Sequence, residues 1–263
     1  MSQLLSYRHL LGSLVRREFL LNYQQTVLGP VWILFQPLLT LVVYVLVFGN
    51  LIGIPTDNNM PHVLFYFSGI VLWNFFNDSF GATSNTFRDN IYVFSKVYFP
   101  RIIMPLSMLA THFLRLIVQL LLLGLLIGYF ILFEEFHISS ALFILEVPAA
   151  IFFTGIFSFS IGLIFSVLTA KYRDIGNLVA IGIRLLMFVT PVFYSPSSIN
   201  EKLRWIINLN PLTPLFELFR SGLLGGDMVS YAHFFYSAVF ILLCLIVALY
   251  LFNKQGSKLI DVV

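Results

Sequence analysis

Residues 102–130 read IIMPLSMLATHFLRLIVQLLLLGLLIGYF, a run in which Arg115 is the only charged side chain. A helix rises about 1.5 Å per residue, so about 20 mostly apolar residues cross a hydrocarbon core of about 30 Å. The run exceeds that length, and it therefore predicts a transmembrane helix.

Apolar runs of similar length recur along the rest of the chain. Hydrophobic residues make up 59% and charged residues 10% of the 263 residues, and the mean hydropathy is +0.92. Such a chain has too little polar surface for water, so lipid is its solvent. We predict an all-α integral membrane protein, a single domain over 1–263, with a cytoplasmic segment at 1–29, six spans within 31–252 and a cytoplasmic tail at 253–263. The six spans are placed at 31–52, 62–82, 102–130, 141–170, 176–193 and 233–252.

The second run is the least certain span because it contains polar side chains, namely Ser68, Asn74, Asn77 and Asp78. Such side chains are costly against lipid, so we expect them to face a neighbouring helix or a hydrated cavity. The alternative is a re-entrant segment, but the loop charges would then lose their alternation.

Basic residues are in excess in every second loop, whereas the long third loop on the other side balances its basic residues, Lys202, Arg204 and Arg220, with Glu201, Glu217 and Asp227. By the positive-inside rule the loops with the excess are cytoplasmic, and both termini lie on the same side. The net charge of +3 comes from these scattered loop residues, so it does not indicate a nucleic-acid surface. The basic residues on the predicted inner side are Arg8, Arg16, Arg17, Arg88, Lys96, Arg101, Lys171, Arg173, Lys254 and Lys258.

The segment 4–15 precedes the first span and has its apolar residues at helical spacing, with Arg8, His9 and Ser13 on the other face. This pattern predicts an amphipathic helix that lies on the cytoplasmic leaflet.

Two short amphipathic helices are predicted at the outer surface between the fifth and sixth spans. Ser198 is followed three residues later by a glutamate, which is a capping box, and Asn210 ends that helix. Thr213 then offers an N-cap before a proline, and the glycines at 225–226 end the second helix.

The internal loops 84–100 and 171–177 are short, charged and too small to fold alone. We predict that they contact a separate cytoplasmic partner. The expected contact residues are Arg88, Asp89, Asn90, Lys171, Tyr172, Arg173 and Asp174.

The sequence lacks the residue patterns of an enzyme. It has no G-x-x-x-x-G-K-[ST] phosphate loop, so ATP hydrolysis by that route requires another chain. None of its five histidines lies three or four positions from another, so a helical metal site is not predicted. We expect this chain to bind no metal and no cofactor.

Arg115 and Arg184 lie inside predicted spans, where an arginine costs at least about 2.5 kcal/mol unless it is hydrated, paired or snorkelling. His112 and Gln119 lie within about a turn of Arg115, so the third span has a polar stripe. Under a structural interpretation the arginines snorkel or form pairs. Under a functional interpretation they neutralise an anionic headgroup, because guanidinium matches phosphate oxygens in a bidentate way.

Five groups of residues resemble, in the same order, those of a known family. They are TVLGPVW at 26–32 followed by Pro37, SKVYFP at 95–100, YRDI at 172–175, Pro191 with Val192 and Tyr194, and Asn210 and Pro211 followed by Arg220 and Ser221. Their order resembles that of the permease subunits of type-2 ABC exporters, and most closely the branch that exports O-antigen or teichoic-acid chains. The similarity covers almost the whole chain.

The resemblance implies a homodimer of permeases with two copies of a separate ATPase, which binds ATP and Mg²⁺ and contacts the internal loops. It also implies a bacterial inner-membrane location and a channel for a polysaccharide linked to polyprenyl pyrophosphate. Arginines at the inner surface attract anionic lipid by about 1 kcal/mol each. The expected headgroup-binding residues are Arg8, Arg16, Arg17, Arg115 and Arg184.

Other functions remain as alternatives. A capsule, small-lipid or drug exporter fits the same family. A membrane transferase acting on polyprenyl-linked sugars would need catalytic acidic or histidine groups clustered in a loop, which the sequence lacks. A secondary transporter or channel would be favoured by an internal repeat with broken helices, and none is evident.

Overall fold

The computed structural model describes residues 7–24, 26–56, 60–90, 93–94, 99–134, 143–225 and 230–259. Helices and their connections account for these residues, and no strand occurs among them. Several residues used in the sequence predictions lie outside the described set: Leu4, Asp57, Asn58, Ser95, Lys96, Val97, Tyr98, Glu135, Gly226, Asp227 and the side chains of Arg173 and Lys258.

The helices are numbered in chain order. They are α1 (Arg8–Tyr23), α2 (Trp32–Tyr44), α3 (His62–Ser84), α4 (Thr86–Asp89), α5 (Ile103–Phe133), α6 (Phe143–Lys171), α7 (Arg173–Val189), α8 (Glu201–Leu209), α9 (Thr213–Leu224) and α10 (Tyr231–Leu259). A 3-10 turn at Gly29–Val31 leads into α2, and a π-helical segment at Val45–Leu51 extends it.

Within the described residues, four helical segments are long and apolar enough to cross a membrane: Gly29–Leu51, Ile103–Phe133, Ile144–Lys171 and Tyr231–Lys254. They coincide with the first, third, fourth and sixth predicted spans. The second and fifth predicted spans correspond to α3 and α7, which form helices but are not among these four. Helix α7 is not among them because it has only 17 residues. Helix α3 is long enough, with 23 residues, but it carries the polar side chains noted above.

Helix α3 lies at the centre of the bundle, where neighbouring helices cover most of its side chains. Its polar Ser68 is fully buried and donates a hydrogen bond to the carbonyl of Phe65. On α6, an added Cβ at Gly162 would lie 2.6 Å from the Cβ of Thr83, so the two helices approach closely. The helix is unbroken over 23 residues, about 34 Å, so its geometry gives the re-entrant alternative no support.

The long helices run alternately between two ends of the molecule. At the α1 end, Leu14 of α1 packs with Phe99 and Ile103. The hydroxyl of Thr169 there donates to the carbonyl of Ser84 at 2.6 Å, which joins the last turns of α6 and α3. At the opposite end, the α9 end, α9 packs against the first turns of α6. The passes α2, α3, α5, α6, α7 and α10 connect these two ends.

The amphipathic segment predicted at 4–15 forms a helix, but α1 begins at Arg8 in the described chain and continues to Tyr23. Tyr7 and Leu10 pack around Leu14 in the small core at the start of α5. The helix is therefore held by protein contacts on one side, and Arg8, Arg16 and Arg17 are exposed on another.

Both helices predicted between the fifth and sixth spans are present, with corrected caps. The side chain of Asn200, not Ser198, caps α8 by accepting from the backbone N–H of Lys202 at 3.1 Å. Ser198 lies in a separate 3-10 turn, which moves it out of the capping position. Thr213 is the first helical residue of α9, and its hydroxyl donates instead to the carbonyl of Ile207 at 2.7 Å.

The surface exposure predicted for α9 is wrong, because all its residues are buried except Glu217, which is half-buried. The reason is that apolar side chains occupy every face of this helix, including Leu215, Phe216 and Leu223. It ends at Gly225, whose φ of 70° is in the left-handed region that favours glycine.

Candidate functional site

A polar cavity of about 250 Å³ lies among α1, α2, α3 and α5, towards the α1 end. We call it the chamber. Polar side chains are unusual inside a bundle of apolar helices, and here they come from four elements at once. The lining residues are Asn22, Tyr23, Trp32, Ile33, Gln36, Pro37, Asn74, Asn77, Asp78, Arg115 and Gln119.

An ion pair crosses the chamber from α3 to α5. Arg115 Nη1 lies 3.7 Å from Asp78 Oδ2, and the two side chains are 21% and 38% exposed. Asn77 also donates to Asp78 Oδ1 at 3.1 Å. Pairing supports the structural interpretation of Arg115, while partial exposure keeps the guanidinium accessible to a ligand.

Tyr23, in the last turn of α1, covers the same arginine. The guanidinium carbon of Arg115 lies 5.2 Å from the centre of the tyrosine ring, which is within cation–π range. Burial raises the pKa of the Tyr23 hydroxyl above its ordinary value, although Arg115 opposes the shift, so the phenol stays neutral near pH 7. This contact connects the N-terminal helix directly to a charge inside the bundle.

A proline shapes the α2 wall of the chamber. Pro37 has no N–H, so the carbonyl of Ile33, four residues earlier, lacks its usual helical donor. Gln119 of α5 supplies a replacement, since its Nε2 donates to that carbonyl at 3.4 Å. The amide of Gln119 is thus committed to holding α2 against α5.

Two other amides in the chamber have no such commitment. The side chains of Gln36 on α2 and Asn74 on α3 make no hydrogen bond to any described residue. Beside them, His112 is 8% exposed and its Nδ1 also has no described partner. The amides of Gln36 and Asn74 are therefore available to water or to a polar ligand, whereas His112 Nδ1 is enclosed by protein.

The predicted headgroup residues do not converge on one site. Arg115 lines the chamber, whereas Arg16 and Arg17 line a separate groove of about 320 Å³ along α1. Arg8 is exposed on α1, and Arg184 is exposed on α7 without an ion pair to any residue in the described ranges. The structure therefore places Arg115 inside the bundle and the other four arginines on exposed surfaces.

The two loops predicted to contact a partner come together at the α1 end. Arg88 Nη1 lies 3.2 Å from where a Cβ on Gly176 would be, so the loop after α3 meets the first turn of α7. Arg88 and Asp89 are exposed and paired at 3.0 Å. Lys171, Tyr172 and Asp174 are also exposed, and the ammonium of Lys171 lies 5.0 Å from the ring of Tyr172.

Asn90 differs from its neighbours in the first loop because it is buried. Its side chain is turned inwards, and its Nδ2 donates to the carbonyl of Thr86 at 3.2 Å. The exposed surface offered by this loop is therefore Arg88 and Asp89.

Residues 9–224 match the family described as ABC-2 type transporter. The chain belongs to the ABC-2 type transporter family. It is 30% identical over 260 residues to the O-antigen export system permease protein RfbA of Klebsiella pneumoniae, across 96% of this chain and 94% of that protein.

Two further relatives of this ABC-2 transporter extend the comparison. It is 29% identical over 225 residues to the O-antigen export system permease protein RfbA of Myxococcus xanthus, across 83% of this chain and 82% of that protein. It is 22% identical over 265 residues to the capsule polysaccharide export inner-membrane protein CtrC of Neisseria meningitidis, across 95% and 91%.

Several of the family-like residues of this ABC-2 transporter pack together at the α9 end. The buried guanidinium of Arg220 donates to the carbonyl of Val192 and lies 3.8 Å above the ring of Phe65. Asn210 donates to the hydroxyl of Thr190 at 2.9 Å. Their contacts are with the protein, so these motif residues form a packed structural cluster.

An acidic side chain is also engaged at this end. Glu146, near the start of α6, accepts a hydrogen bond from the hydroxyl of Ser221 at 3.2 Å. Burial raises the pKa of the nearby Tyr194 to about 12, and its hydroxyl donates to the carbonyl of Phe188 at 3.0 Å.

Sequence reasoning found the polar residues of the chamber but missed their association. Asp78 is on one predicted span and Arg115 on the next, but an ion pair between them is not among the predictions from the sequence. Opposite charges on consecutive antiparallel spans are the pattern that would have indicated the pair. Tyr23 and Gln36 gave no such indication, because an aromatic and an amide near a span end are common.

Proposed function

We propose that this ABC-2 transporter is the permease subunit of an ATP-driven exporter that moves lipid-linked polysaccharide of the O-antigen type across the bacterial inner membrane. The observation that carries the proposal is similarity over 96% of the chain to a permease of O-antigen export. Similarity to a capsule exporter is lower, at 22%, and makes capsule export the second candidate. Teichoic-acid export is a further member of the same class.

The proposed topology has six spans with both termini in the cytoplasm. The alternation of α2, α3, α5, α6, α7 and α10 between two ends supports six crossings. The α1 end carries the basic loops and is assigned to the cytoplasm by the positive-inside rule. Helix α3 crosses despite its polar residues because protein surrounds it, and α7 spans about 25 Å with 17 residues.

We further propose that two copies of the permease assemble with two copies of a separate ATPase, which binds ATP and Mg²⁺. The exposed side chains of Arg88, Asp89, Lys171, Tyr172 and Asp174 at the α1 end form the contact surface, with Asn90 and Arg173 in the same loops. The adjacency of Arg88 and Gly176 supports this assignment, since one ATPase surface then reaches both loops. Movement of the ATPase would be transmitted to α3 and α7 together.

The arginines form a route for the anionic headgroup in this proposal. Arg8, Arg16 and Arg17 on the exposed face of α1 attract the pyrophosphate at the cytoplasmic surface. Arg115 in the chamber and Arg184 on the exposed face of α7 then meet it deeper in the membrane. The headgroup competes with Asp78 for Arg115, since the existing ion pair is a single contact of 3.7 Å and a pyrophosphate offers the guanidinium a bidentate one.

The proposal is tested by deleting the permease gene in cells that make the polysaccharide and restoring it on a plasmid. Loss of surface polymer with accumulation of lipid-linked polymer inside, reversed by the plasmid, is the expected result. Surface polymer at the normal level in the deletion strain would contradict the proposal.

The orientation is tested separately by cysteine labelling from each side of the membrane. A cysteine at Asn58 or Ser197 is expected to react from outside, and one at Asn253 only after the membrane is permeabilised. Reaction at Asn58 or Ser197 only from the cytoplasm would overturn the topology.

A further inference from the structure

The chamber is close to neutral although it contains an arginine. Asp78 balances Arg115, and the remaining polar side chains are the uncharged amides of Asn22, Gln36, Asn74, Asn77 and Gln119 with the phenol of Tyr23. A site built for an anion alone would carry net positive charge. This one offers neutral donors and acceptors beside a single ion pair.

Amides with aromatic rings match the chemistry of a sugar. Amide groups both donate to and accept from hydroxyls, as sugar recognition requires, and the CH faces of a sugar ring pack on aromatic rings. Gln36 and Asn74 have no described partner and stand on different helices, while Tyr23 and Trp32 supply rings. The polar groups left open are therefore of the kind that a polyhydroxy ligand satisfies.

Covalent connectivity places such a ligand in the chamber. This step rests on the proposed function, in which Arg115 meets the pyrophosphate of a lipid-linked polysaccharide. The first sugar is bonded directly to that pyrophosphate, so it lies within a few bonds of the guanidinium. The chamber is open at Arg115 and large enough to receive it, whereas a neighbouring cavity that Arg115 also lines is only about 10 Å³.

We propose that the chamber is a subsite for the first sugar of the lipid-linked polysaccharide, with Gln36 and Asn74 as its hydrogen-bonding residues. Its volume of about 250 Å³ equals that of about eight waters in the liquid, which suits a single sugar ring and excludes a folded chain. The subsite thus binds the sugar next to the lipid, and the length of the remaining polysaccharide does not affect this contact.

The test uses the permease with its ATPase in lipid nanodiscs and two probes: polyprenyl pyrophosphate, and the same lipid carrying one hexose. The measured quantity is the probe concentration that half-maximally stimulates ATP hydrolysis. For the natural sequence, the hexose-bearing probe is expected to act at about a tenfold lower concentration, as two net hydrogen bonds would give. Gln36→Leu and Asn74→Leu should each reduce this ratio about threefold, and the double variant should abolish it.

Asn50→Leu serves as the matched control, because Asn50 is an exposed amide in the π-helical extension of α2, away from the chamber. It should keep the tenfold ratio. Unfolding temperatures of all variants establish that each is folded.

The outcomes separate the two proposals. If the natural sequence responds equally to both probes, or if the double variant keeps the tenfold ratio, the chamber is not a sugar subsite. If Arg115→Gln leaves the response to both probes unchanged, the headgroup role assigned to Arg115 under the proposed function fails instead. A weaker response to both probes in Arg115→Gln, together with loss of the ratio in the amide variants, supports both.

Discussion

Arg115 towards the α1 end and Arg220 at the α9 end both lie inside the helical bundle, but their surroundings differ. Arg220 is 4% exposed, packs on Phe65 and donates to a backbone carbonyl. Arg115 is 21% exposed, and it faces a cavity whose lining includes amides without described partners. Arg220 is enclosed by protein, whereas Arg115 pairs with Asp78 at the edge of a cavity.

The difference teaches that a charge inside this protein has to be interpreted through its neighbours. Arg220, which belongs to a family-like motif, stabilises the packing of α3 against the segment after α7. Arg115 and Asp78 belong to none of the quoted motifs, yet they line the chamber. Four predictions test this contrast, from the largest expected effect to the smallest.

The largest effect is expected where the α9 end is packed most tightly. A Cβ added at Gly69 would lie 2.1 Å from the carbonyl oxygen of Val192 and 2.7 Å from Arg220 Nη2. Because backbone atoms have to move, Gly69→Ala should lower the free energy of unfolding by about 3 kcal/mol. The measurement is thermal unfolding of the purified protein, together with its amount in the membrane.

Gly81→Ala is the control for that change, since Gly81 lies on the same helix with no atom within 4 Å of an added Cβ. This variant should be neutral or slightly more stable, because alanine favours the helix by up to about 1 kcal/mol. Equal stability of the two variants would show that the α9 end is not closely packed at Gly69.

The second prediction exchanges the two arginines for glutamine. Arg115→Gln removes a charge-assisted contact and should reduce export by about tenfold or more, with Arg115→Lys intermediate. Folding should survive because Asp78, left without its partner, is 38% exposed and stays hydrated. Arg184→Gln should act in the same direction. Arg220→Gln should instead reduce the amount of folded protein in the membrane.

Export assays and unfolding temperatures on the same samples distinguish these effects. Normal export by both Arg115→Gln and Arg184→Gln would favour a purely structural role for these arginines. Loss of folded protein in Arg115→Gln, to the level of Arg220→Gln, would remove the contrast between the two ends.

The third prediction concerns the surface arginines of α1. Arg16→Gln and Arg17→Gln should each raise the lipid-linked substrate concentration for half-maximal ATPase stimulation by about fivefold, which is the effect of about 1 kcal/mol. The effect should shrink at high salt, because exposed charges are screened. Lys202→Gln is the control, since Lys202 is an exposed cation on α8 near the other end. An equal shift in the control would point to general surface charge.

The helical membrane fold was predictable because a spanning helix requires a long apolar run. The four most apolar runs reappear as long apolar helices, and the polar residues of 62–82 face protein or the chamber as expected. The two loops of the α1 end were also correctly grouped by their charge.

Most of the details that failed depend on tertiary contacts. The burial of α9 is set by how the segment after α7 folds back, which local patterns do not encode. The cap at Asn200 is instead a local contact with Lys202, and the capping-box pattern placed it two residues too early. The pairing of Asp78 with Arg115 depends on which faces of α3 and α5 meet. Pro37 leaves the carbonyl of Ile33 without its helical donor, but the replacement donor, Gln119, lies on a helix distant in sequence.

The smallest effect is expected at the loop that begins α7. Asp174 is exposed in the first turn of that helix, where a carboxylate is favoured by about 0.3–1 kcal/mol through the helix dipole. If Asp174 also contacts the ATPase, Asp174→Ala should lower the polymer exported per ATP hydrolysed by about two- to fivefold, the effect of a surface ion pair of at most about 1 kcal/mol.

Glu201→Ala gives the matched comparison, because Glu201 is also a carboxylate in the first turn of a helix, α8, at the other end. It should lose the same helix-dipole stabilisation but leave the export-to-hydrolysis ratio unchanged. Asp174→Glu should restore most of the ratio, since it keeps the charge. If Asp174→Ala exports as much polymer per ATP hydrolysed as the natural sequence does, the loop is not an ATPase contact. The same conclusion follows if Glu201→Ala lowers this ratio equally. The basic residues of the loops at the α1 end would then be explained by the positive-inside rule alone.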